Sequence, residues 1–127
     1  MSRRVIASPN APAAFGPYSQ AIEIDGFLFC SGSLGADPIT GDLLEGIENQ
    51  TERSLLNLEA VLAAAAMTMA DVVKVTVFLT DLSNFAKMNA IYKNHVTDPA
   101  PARSTVQVAA LPHDALVEIE AIARQSD

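Results

Sequence analysis

Apolar residues recur along this chain with the spacing of a strand in some segments and with the spacing of a helix in others. A chain with both spacings folds into a structure that contains strands and helices. Residues 73–80 place a valine or leucine at every second position, which is the period of a half-buried strand. Earlier in the chain, Leu55, Leu58 and Leu62 fall at positions i, i+3 and i+7 within residues 48–67. That spacing indicates an amphipathic helix.

The other segments extend this pattern into an α+β arrangement. Residues 83–95 have helical spacing again, and Asp25-Gly26 is a tight-turn signal between two strands of a hairpin. Apart from residues 73–80, the predicted strands are residues 4–7, 19–25, 27–31, 103–109 and 116–123. This order predicts an α+β sandwich with two helices packed on one face of a mixed sheet. The 127 residues contain no internal repeat or linker, so we expect a single domain over residues 1–127.

Charge and composition narrow the partners and the compartment of the chain. Eight basic and fifteen acidic residues give a net charge of −7, which repels phosphate backbones and anionic lipid, so we expect no nucleic acid and no membrane as partner. The N-terminus lacks the apolar stretch of a signal peptide, and the single cysteine, Cys30, has no internal disulfide partner. We therefore expect a cytoplasmic protein. His95 and His113 lack metal-ligand spacing, so no metal site is expected.

The alternation in the strands predicts which side chains lie on the sheet face away from the helices. If the apolar side of each strand covers the helices, the opposite face mixes charged and apolar groups. Its expected members are Phe78, Arg103, Leu116, Glu118, Glu120 and Ile122. A half-apolar face is unusual on a monomer and predicts a homo-oligomer whose subunits meet across their sheets. The alternative is an ordinary solvent-exposed face with scattered apolar residues.

Arg103 and Glu118 are the residues with the clearest chemical use. Arg103 begins a predicted strand at a sheet edge, and its guanidinium offers two parallel donors that match a carboxylate. Glu118, expected nearby, has the chemistry to hold a water molecule or to accept its proton. The plainer interpretation is that the two form an ion pair. Asn89 is either a hydrogen-bonded core residue or a site residue, and Tyr18 is either a packed ring or part of a pocket.

Several segments, taken in order, resemble the sequence signature of the RidA family, also called the YjgF family. They are residues 11–20 (APAAFGPYSQ), 30–32 (CSG), 72–82 (VVKVTVFLTDL), 101–112 (PARSTVQVAALP) and 117–120 (VEIE). Phe85 and the pair Met88-Asn89 fit the same signature. The resemblance covers nearly the whole chain without large gaps, which makes it more specific than any one of these motifs.

The resemblance implies a chorismate-mutase-like α+β fold assembled as a homotrimer, with sites in the clefts between subunits. It also implies hydrolysis of reactive enamines and imines, such as 2-aminoacrylate, 2-iminopropanoate and 2-iminobutanoate, to 2-keto acids and ammonia. Such intermediates leave pyridoxal-phosphate-dependent serine and threonine dehydratases, whereas the family enzyme itself needs no cofactor. An imine is already electrophilic, so orientation of water and substrate is enough for catalysis.

The resemblance also assigns roles by position. Arg103 would bind the substrate carboxylate, and Glu118 would orient the attacking water. The other residues expected to line the pocket are Tyr18, Ser31, Gly32, Asn89 and Thr105. Thr105 stands where close relatives often have cysteine. Because the family pocket uses the backbone of this residue, we expect the threonine to be tolerated, with an effect limited to substrate preference or redox sensitivity.

Two other functions stay open at the level of the sequence. One is a non-catalytic trimer that binds a small ligand, such as a 2-keto acid, in the same cleft. A site built only to bind carboxylates gains nothing from the charge of Glu118 beside Arg103. The other is a holdase chaperone or an RNA-cleaving translation inhibitor, roles also attached to the family. The net charge and the lack of a basic stripe argue against RNA.

Overall fold

The computed structural model describes residues 2–126, which contain a six-stranded sheet and two α-helices. The strands are β1 (Arg4–Ile6), β2 (Ala21–Ile24), β3 (Phe27–Leu34), β4 (Val72–Leu79), β5 (Ala102–Gln107) and β6 (Val117–Arg124). The helices are α1 (Gly46–Ala64) and α2 (Phe85–Tyr92). The order of elements agrees with the sequence prediction, although β3 extends further and α2 ends earlier than expected.

The sheet has the strand order β1-β2-β3-β6-β4-β5. Its neighbouring strands are antiparallel except β4 and β5, which are parallel and are connected in the chain through α2. The last strand, β6, therefore lies in the middle of the sheet between β3 and β4. β5 is an edge strand, which leaves one of its sides without a partner strand from residues 2–126.

Both helices cover one face of the sheet, and the core lies between the two layers. β4 and β6 each turn one row of small or branched apolar side chains toward the helices. The largest fully buried apolar side chains are Leu28, Leu55, Leu58, Leu62, Val75, Val77, Leu79, Met88, Val117 and Ile119. This arrangement confirms the predicted α+β sandwich with a mixed sheet. Neither helix within residues 2–126 has the length and hydropathy needed to cross a bilayer.

α1 turns polar as well as apolar side chains toward the sheet. Ser54 and Asn57 are buried, and both bind backbone groups at the end of β3. The Asn57 amide donates to the carbonyl oxygens of Leu34 and Ala36 at 3.1 and 2.8 Å, and the Ser54 hydroxyl donates to that of Ser33 at 2.7 Å. These bonds satisfy buried carbonyl groups and hold the end of β3 against the helix.

His95 connects the segment after α2 to α1. Its side chain is 10% exposed and lies between two carboxylates, with Nδ1 2.6 Å from Glu59 Oε2 and Nε2 2.7 Å from Glu52 Oε1. Burial of the imidazole favours its neutral form, but the hydrogen bonds to Glu52 and Glu59 outweigh burial and raise the pKa of His95 above its usual value. Folding therefore favours the charged form of the imidazole.

The histidine makes the stability of the fold depend on pH. Because its pKa is raised in the folded state, its contribution is complete below the unfolded value of about 6.5 and is lost as pH rises through the folded pKa. We expect the advantage of the wild type over His95→Gln in thermal unfolding to be largest near pH 6 and to shrink toward pH 9. His113→Gln, in an exposed loop, is the control. An advantage that does not change with pH would contradict the charged state of His95.

Candidate active site

Arg103 lies on the helix side of β5, against α2. Its partner in the β4–β5 ladder is Val75, which is fully buried beneath the helices. Nη1 of Arg103 donates a 2.8 Å hydrogen bond to Oδ1 of Asn89. The guanidinium carbon lies 4.6 Å from the centroid of the Tyr92 ring and 5.5 Å from that of Phe85. Two predicted site residues, Arg103 and Asn89, are therefore in direct contact.

The prediction that Arg103 lies on the sheet face away from the helices is wrong. The prediction assumed that the apolar side of every strand covers the helices, but in β5 the apolar Val106 is on the face away from the helices (the open face), where it is 41% exposed. Glu118 is on that open face, beside its ladder partner Phe78. The rule fails because β5 is an edge strand covered by polar and aromatic groups of α2. Within one chain, Arg103 and Glu118 lie on opposite faces and form no ion pair.

Thr105 follows Arg103 on the same face of β5. Its ladder partner is Val77, another fully buried residue of β4. The Thr105 hydroxyl is buried and has no hydrogen-bond partner within residues 2–126. The fold itself therefore makes no use of this hydroxyl, and a role of Thr105 in binding stays a prediction.

A second group of predicted residues surrounds Glu118. The register between β3 and β6 shifts between Cys30 and Ser33, so that Ser31 and Gly32 together oppose one residue of β6. Such a bulge changes the direction of the strand and often lies beside a site. A Cβ atom on Gly32 would come 2.6 Å from Cδ and 2.7 Å from Oε2 of Glu118. Glycine at this position leaves the space that the carboxyl group occupies.

Glu118 borders a groove of about 680 Å³. Tyr18, Ser31 and Gly32 line the same groove, and Tyr18 is 54% exposed. The Ser31 hydroxyl donates a 2.6 Å hydrogen bond to the carbonyl oxygen of Ser19, which ties the bulge to the loop before β2. The structure therefore brings these four predicted residues together, while Arg103, Asn89 and Thr105 are elsewhere.

The environment of Glu118 changes its acidity. Burial raises the pKa of Glu118 above that of an ordinary carboxyl group, and the charge of Glu120 raises it further. A carboxyl group with a raised pKa is better matched to proton transfer near neutral pH. Cys30 also lines the groove, but burial raises its pKa to about 12, so the thiol stays protonated. In the described part of the chain, no three His, Cys, Asp or Glu side chains are grouped to hold a metal ion.

Gly32→Ala tests the packing of the carboxyl group on the bulge. The new methyl group displaces the Glu118 side chain, which is able to rotate away. We therefore expect kcat for the imine hydrolysis that the family resemblance implies to fall about tenfold or more, with little loss of stability. Gly35→Ala is the contrasting variant, because its Cβ would meet the Gln50 backbone of α1 at 2.4 Å. It should lower the melting temperature instead. A fully active Gly32→Ala enzyme would contradict the importance of this packing.

Three residues near the site were not predicted as part of it. Glu120 and His113 line the groove, and His113 has a positive φ of 59°. Gln20 accepts a 2.6 Å hydrogen bond from the backbone N–H of Ser8 and donates a 2.7 Å bond to the carbonyl oxygen of Pro12, so it shapes the N-terminal wall. The only indication in the sequence that Gln20 belongs near the site is its position in residues 11–20, one of the segments that carry the family resemblance.

The predicted site thus consists of two half-sites. We call Phe85, Asn89, Tyr92, Arg103 and Thr105 the arginine half-site, and Tyr18, Ser31, Gly32 and Glu118 the glutamate half-site. The first is at the sheet edge on the helix side, and the second is on the open face. The open face also exposes large apolar side chains, including Phe29 at 45%.

Known proteins are similar to this chain over almost its whole length. Residues 8–125 match the profile of a family described as Endoribonuclease L-PSP. A mouse protein named 2-iminobutanoate/2-iminopropanoate deaminase is 46% identical over 124 residues, which cover 97% of this chain and 92% of the mouse protein.

Solved structures agree with the sequence comparison. The crystal structure of RidA from the Antarctic bacterium Psychrobacter sp. has a TM-score of 0.94 and 45% identity, covering 96% of this chain and 99% of that one. Escherichia coli TdcF with bound serine has a TM-score of 0.92 and 41% identity, covering 97% and 99%. These matches confirm the resemblance found in the sequence, and the chain belongs to the RidA family, the family described as Endoribonuclease L-PSP.

Proposed function

We propose that this protein hydrolyses reactive 2-imines and their enamine tautomers, including 2-iminobutanoate and 2-iminopropanoate, to 2-keto acids and ammonia. The observation that carries the proposal is the state of Arg103. Its guanidinium is held by Asn89 and by aromatic rings, and it has no carboxylate partner within residues 2–126. An arginine held in place without a partner is prepared to bind a ligand carboxylate. The name of the mouse relative supports the same substrates.

The reaction needs only water and proton transfer. Water adds to C2 of the imine, and the electron pair of the C=N bond moves to nitrogen as the C–O bond forms. Glu118 accepts a proton from this water and delivers a proton to the nitrogen. The hydroxyl of the resulting carbinolamine then loses a proton, which Glu118 carries to the amino group, and the C–N bond breaks to release ammonia as the C=O bond forms. The sum is one imine and one water converted to one 2-keto acid and one ammonia.

The two half-sites form a complete site only when subunits associate. The arginine half-site of one subunit would face the glutamate half-site of its neighbour in a homotrimer. Two observations support this assembly. The half-sites are on opposite faces of one sheet, and the open face, which carries Glu118, also exposes Phe29 and Val106. Apolar groups on a surface of this kind are typical of subunit interfaces.

A trapping assay tests the reaction directly. A pyridoxal-phosphate-dependent threonine dehydratase supplies 2-iminobutanoate, and semicarbazide traps the imine that is free in solution. We expect the wild-type protein to suppress formation of the trapped imine and to accelerate 2-keto acid release, while Arg103→Ala does neither. If the wild type leaves trapping unchanged with several amino-acid precursors, the proposed reaction is wrong.

The same assay separates the other candidate functions. A non-catalytic binding protein would bind a 2-keto acid in calorimetry without suppressing the trapping. The description of the family as an endoribonuclease raises RNA cleavage as a further candidate, but the net charge of −7 is unfavourable for binding a phosphate backbone. RNA cleavage that Arg103→Ala abolishes, together with no effect on the imine, would favour that function instead.

A further inference from the structure

Tyr92 is an aromatic residue of the arginine half-site that the sequence analysis did not assign to the site. Phe85, Asn89 and Tyr92 lie at positions i, i+4 and i+7 of α2, so their side chains form one stripe on the helix. Tyr92 is 5% exposed, whereas Phe85 is 39% exposed. The Tyr92 ring is also nearer to the guanidinium carbon of Arg103, at 4.6 Å against 5.5 Å for Phe85.

The hydroxyl group of Tyr92 does not account for its place in the fold. It is buried and has no hydrogen-bond partner of normal geometry in the described part of the chain. Burial raises the pKa of Tyr92, and the charge of Arg103 and a weak interaction of its side chain with the hydroxyl offset only part of this rise, so the phenol is neutral. A buried hydroxyl without a partner costs stability. The contact with Arg103 that has a defined geometry is therefore that of the Tyr92 ring with the guanidinium.

We propose that Tyr92 is a positioning residue whose ring face holds the Arg103 guanidinium in the orientation that binds the substrate carboxylate. This proposal rests on the proposed function. Asn89 accepts a hydrogen bond from one nitrogen of the guanidinium. This single bond does not prevent the guanidinium from rotating about that nitrogen. The negative face of the ring adds an attraction at a second point, and this attraction is stronger where water is excluded.

Two substitutions separate the ring from the hydroxyl. Tyr92→Met keeps an apolar side chain of similar length but removes the ring and its cation–π attraction to Arg103. We expect this loss to raise the KM for 2-iminobutanoate about tenfold and to change kcat much less. Tyr92→Phe keeps the ring, and its KM should return to within about threefold of the wild type. Leu62→Ala, a buried residue that belongs to neither half-site, controls for lost stability: it should lower the melting temperature without raising KM.

A size-preserving series keeps the test valid if Tyr92→Met fails to fold. Phenylalanine analogues with increasing fluorination of the ring are placed at position 92, because fluorine withdraws charge from the ring face and leaves the shape nearly unchanged. We expect KM to rise steadily with the number of fluorine atoms. A KM that stays constant along the series would overturn the positioning role, because it would show that the charge of the ring face is irrelevant.

Binding of 2-oxobutanoate, measured by calorimetry on the same variants, separates this proposal from the proposed function. An active enzyme with a flat series overturns the role of Tyr92 alone. A protein that is inactive but binds 2-oxobutanoate with a Kd that rises along the series overturns the reaction and supports the role of Tyr92 in holding Arg103. A wild-type protein that neither binds nor hydrolyses these ligands overturns both.

Discussion

Arg103→Lys is expected to lower kcat/KM for 2-iminobutanoate about a hundredfold, and Arg103→Ala by at least as much, because each breaks a hydrogen-bonded charge contact. Lysine keeps the charge but lacks the planar fork that matches a carboxylate, and it cannot both bind Asn89 and present two parallel donors. The loss is measured from initial rates of 2-keto acid release and from the Kd of 2-oxobutanoate. Both constants should change, because in the proposed mechanism the arginine binds the ligand before and during the reaction.

Arg124→Lys is the matched control for Arg103. The Arg124 guanidinium carbon also lies near an aromatic ring, 5.2 Å from the centroid of Phe27, but at the far end of β6 from Glu118. Its replacement by lysine should leave kcat/KM near the wild-type value. If Arg103→Lys retained most of the wild-type kcat/KM, carboxylate binding by the guanidinium fork would be refuted.

Glu118→Gln is expected to lower kcat by about a hundredfold to ten-thousandfold, the usual range for removal of a general base, with a much smaller change in the Kd of 2-oxobutanoate. Glutamine has nearly the same shape but accepts no proton at neutral pH. Its effect should therefore fall on the chemical step, in contrast to the effect of Arg103→Lys. A Glu118→Gln variant with the wild-type kcat would exclude proton transfer through this carboxyl group.

The raised pKa of Glu118 gives this prediction a pH dependence. In the proposed mechanism the carboxylate form is the active one, so wild-type kcat/KM should fall as pH drops through a pKa above the usual value of about 4.3 for glutamate. Burial is the larger cause of the shift, and the charge of Glu120 is the second. Glu120→Gln removes that charge and should move the acid side of the profile to lower pH. A profile that does not move would show that another group controls activity.

The raised pKa of Glu118 also predicts that Glu118→Gln, which lowers kcat, raises the stability of the fold at neutral pH. A carboxyl group whose pKa is raised by folding favours the folded state at low pH, and this contribution is lost as pH rises and the buried group must ionise. Glu118→Gln, which carries no charge, should therefore melt at a higher temperature than the wild type at neutral pH, and the difference should shrink toward pH 4. Such an exchange of stability for activity is common at functional sites.

The elements of the fold could be predicted because their hydrophobic periods are regular. The leucines of α1 and the valines of β4 mark their faces without help from distant residues. The length of β3 could not be predicted in the same way. Its alternation is interrupted at Ser31 and Gly32 by a bulge, and its end is held by Asn57, which is distant in sequence.

The relative positions of Arg103 and Glu118 could not be predicted from the sequence. The family resemblance identifies the residues of the site. The face of β5 on which Arg103 lies depends instead on α2, because Asn89 and Tyr92 of that helix contact the arginine. The sequence pattern predicts an apolar layer at this place. The space for Glu118 depends likewise on a glycine in a neighbouring strand. Both are tertiary effects, which no pattern within one strand records.

Mixed trimers of Arg103→Ala and Glu118→Gln subunits test most directly whether a site is shared between subunits. The two variants are co-expressed with different tags, and trimers that carry both tags are purified. In the proposed homotrimer, a closed ring of three subunits, either mixture contains one interface at which both groups are intact, so we expect about one third of the wild-type activity from two inactive parents. Mixed trimers no more active than the parents would contradict the shared site and would place Arg103 and Glu118 in separate functions.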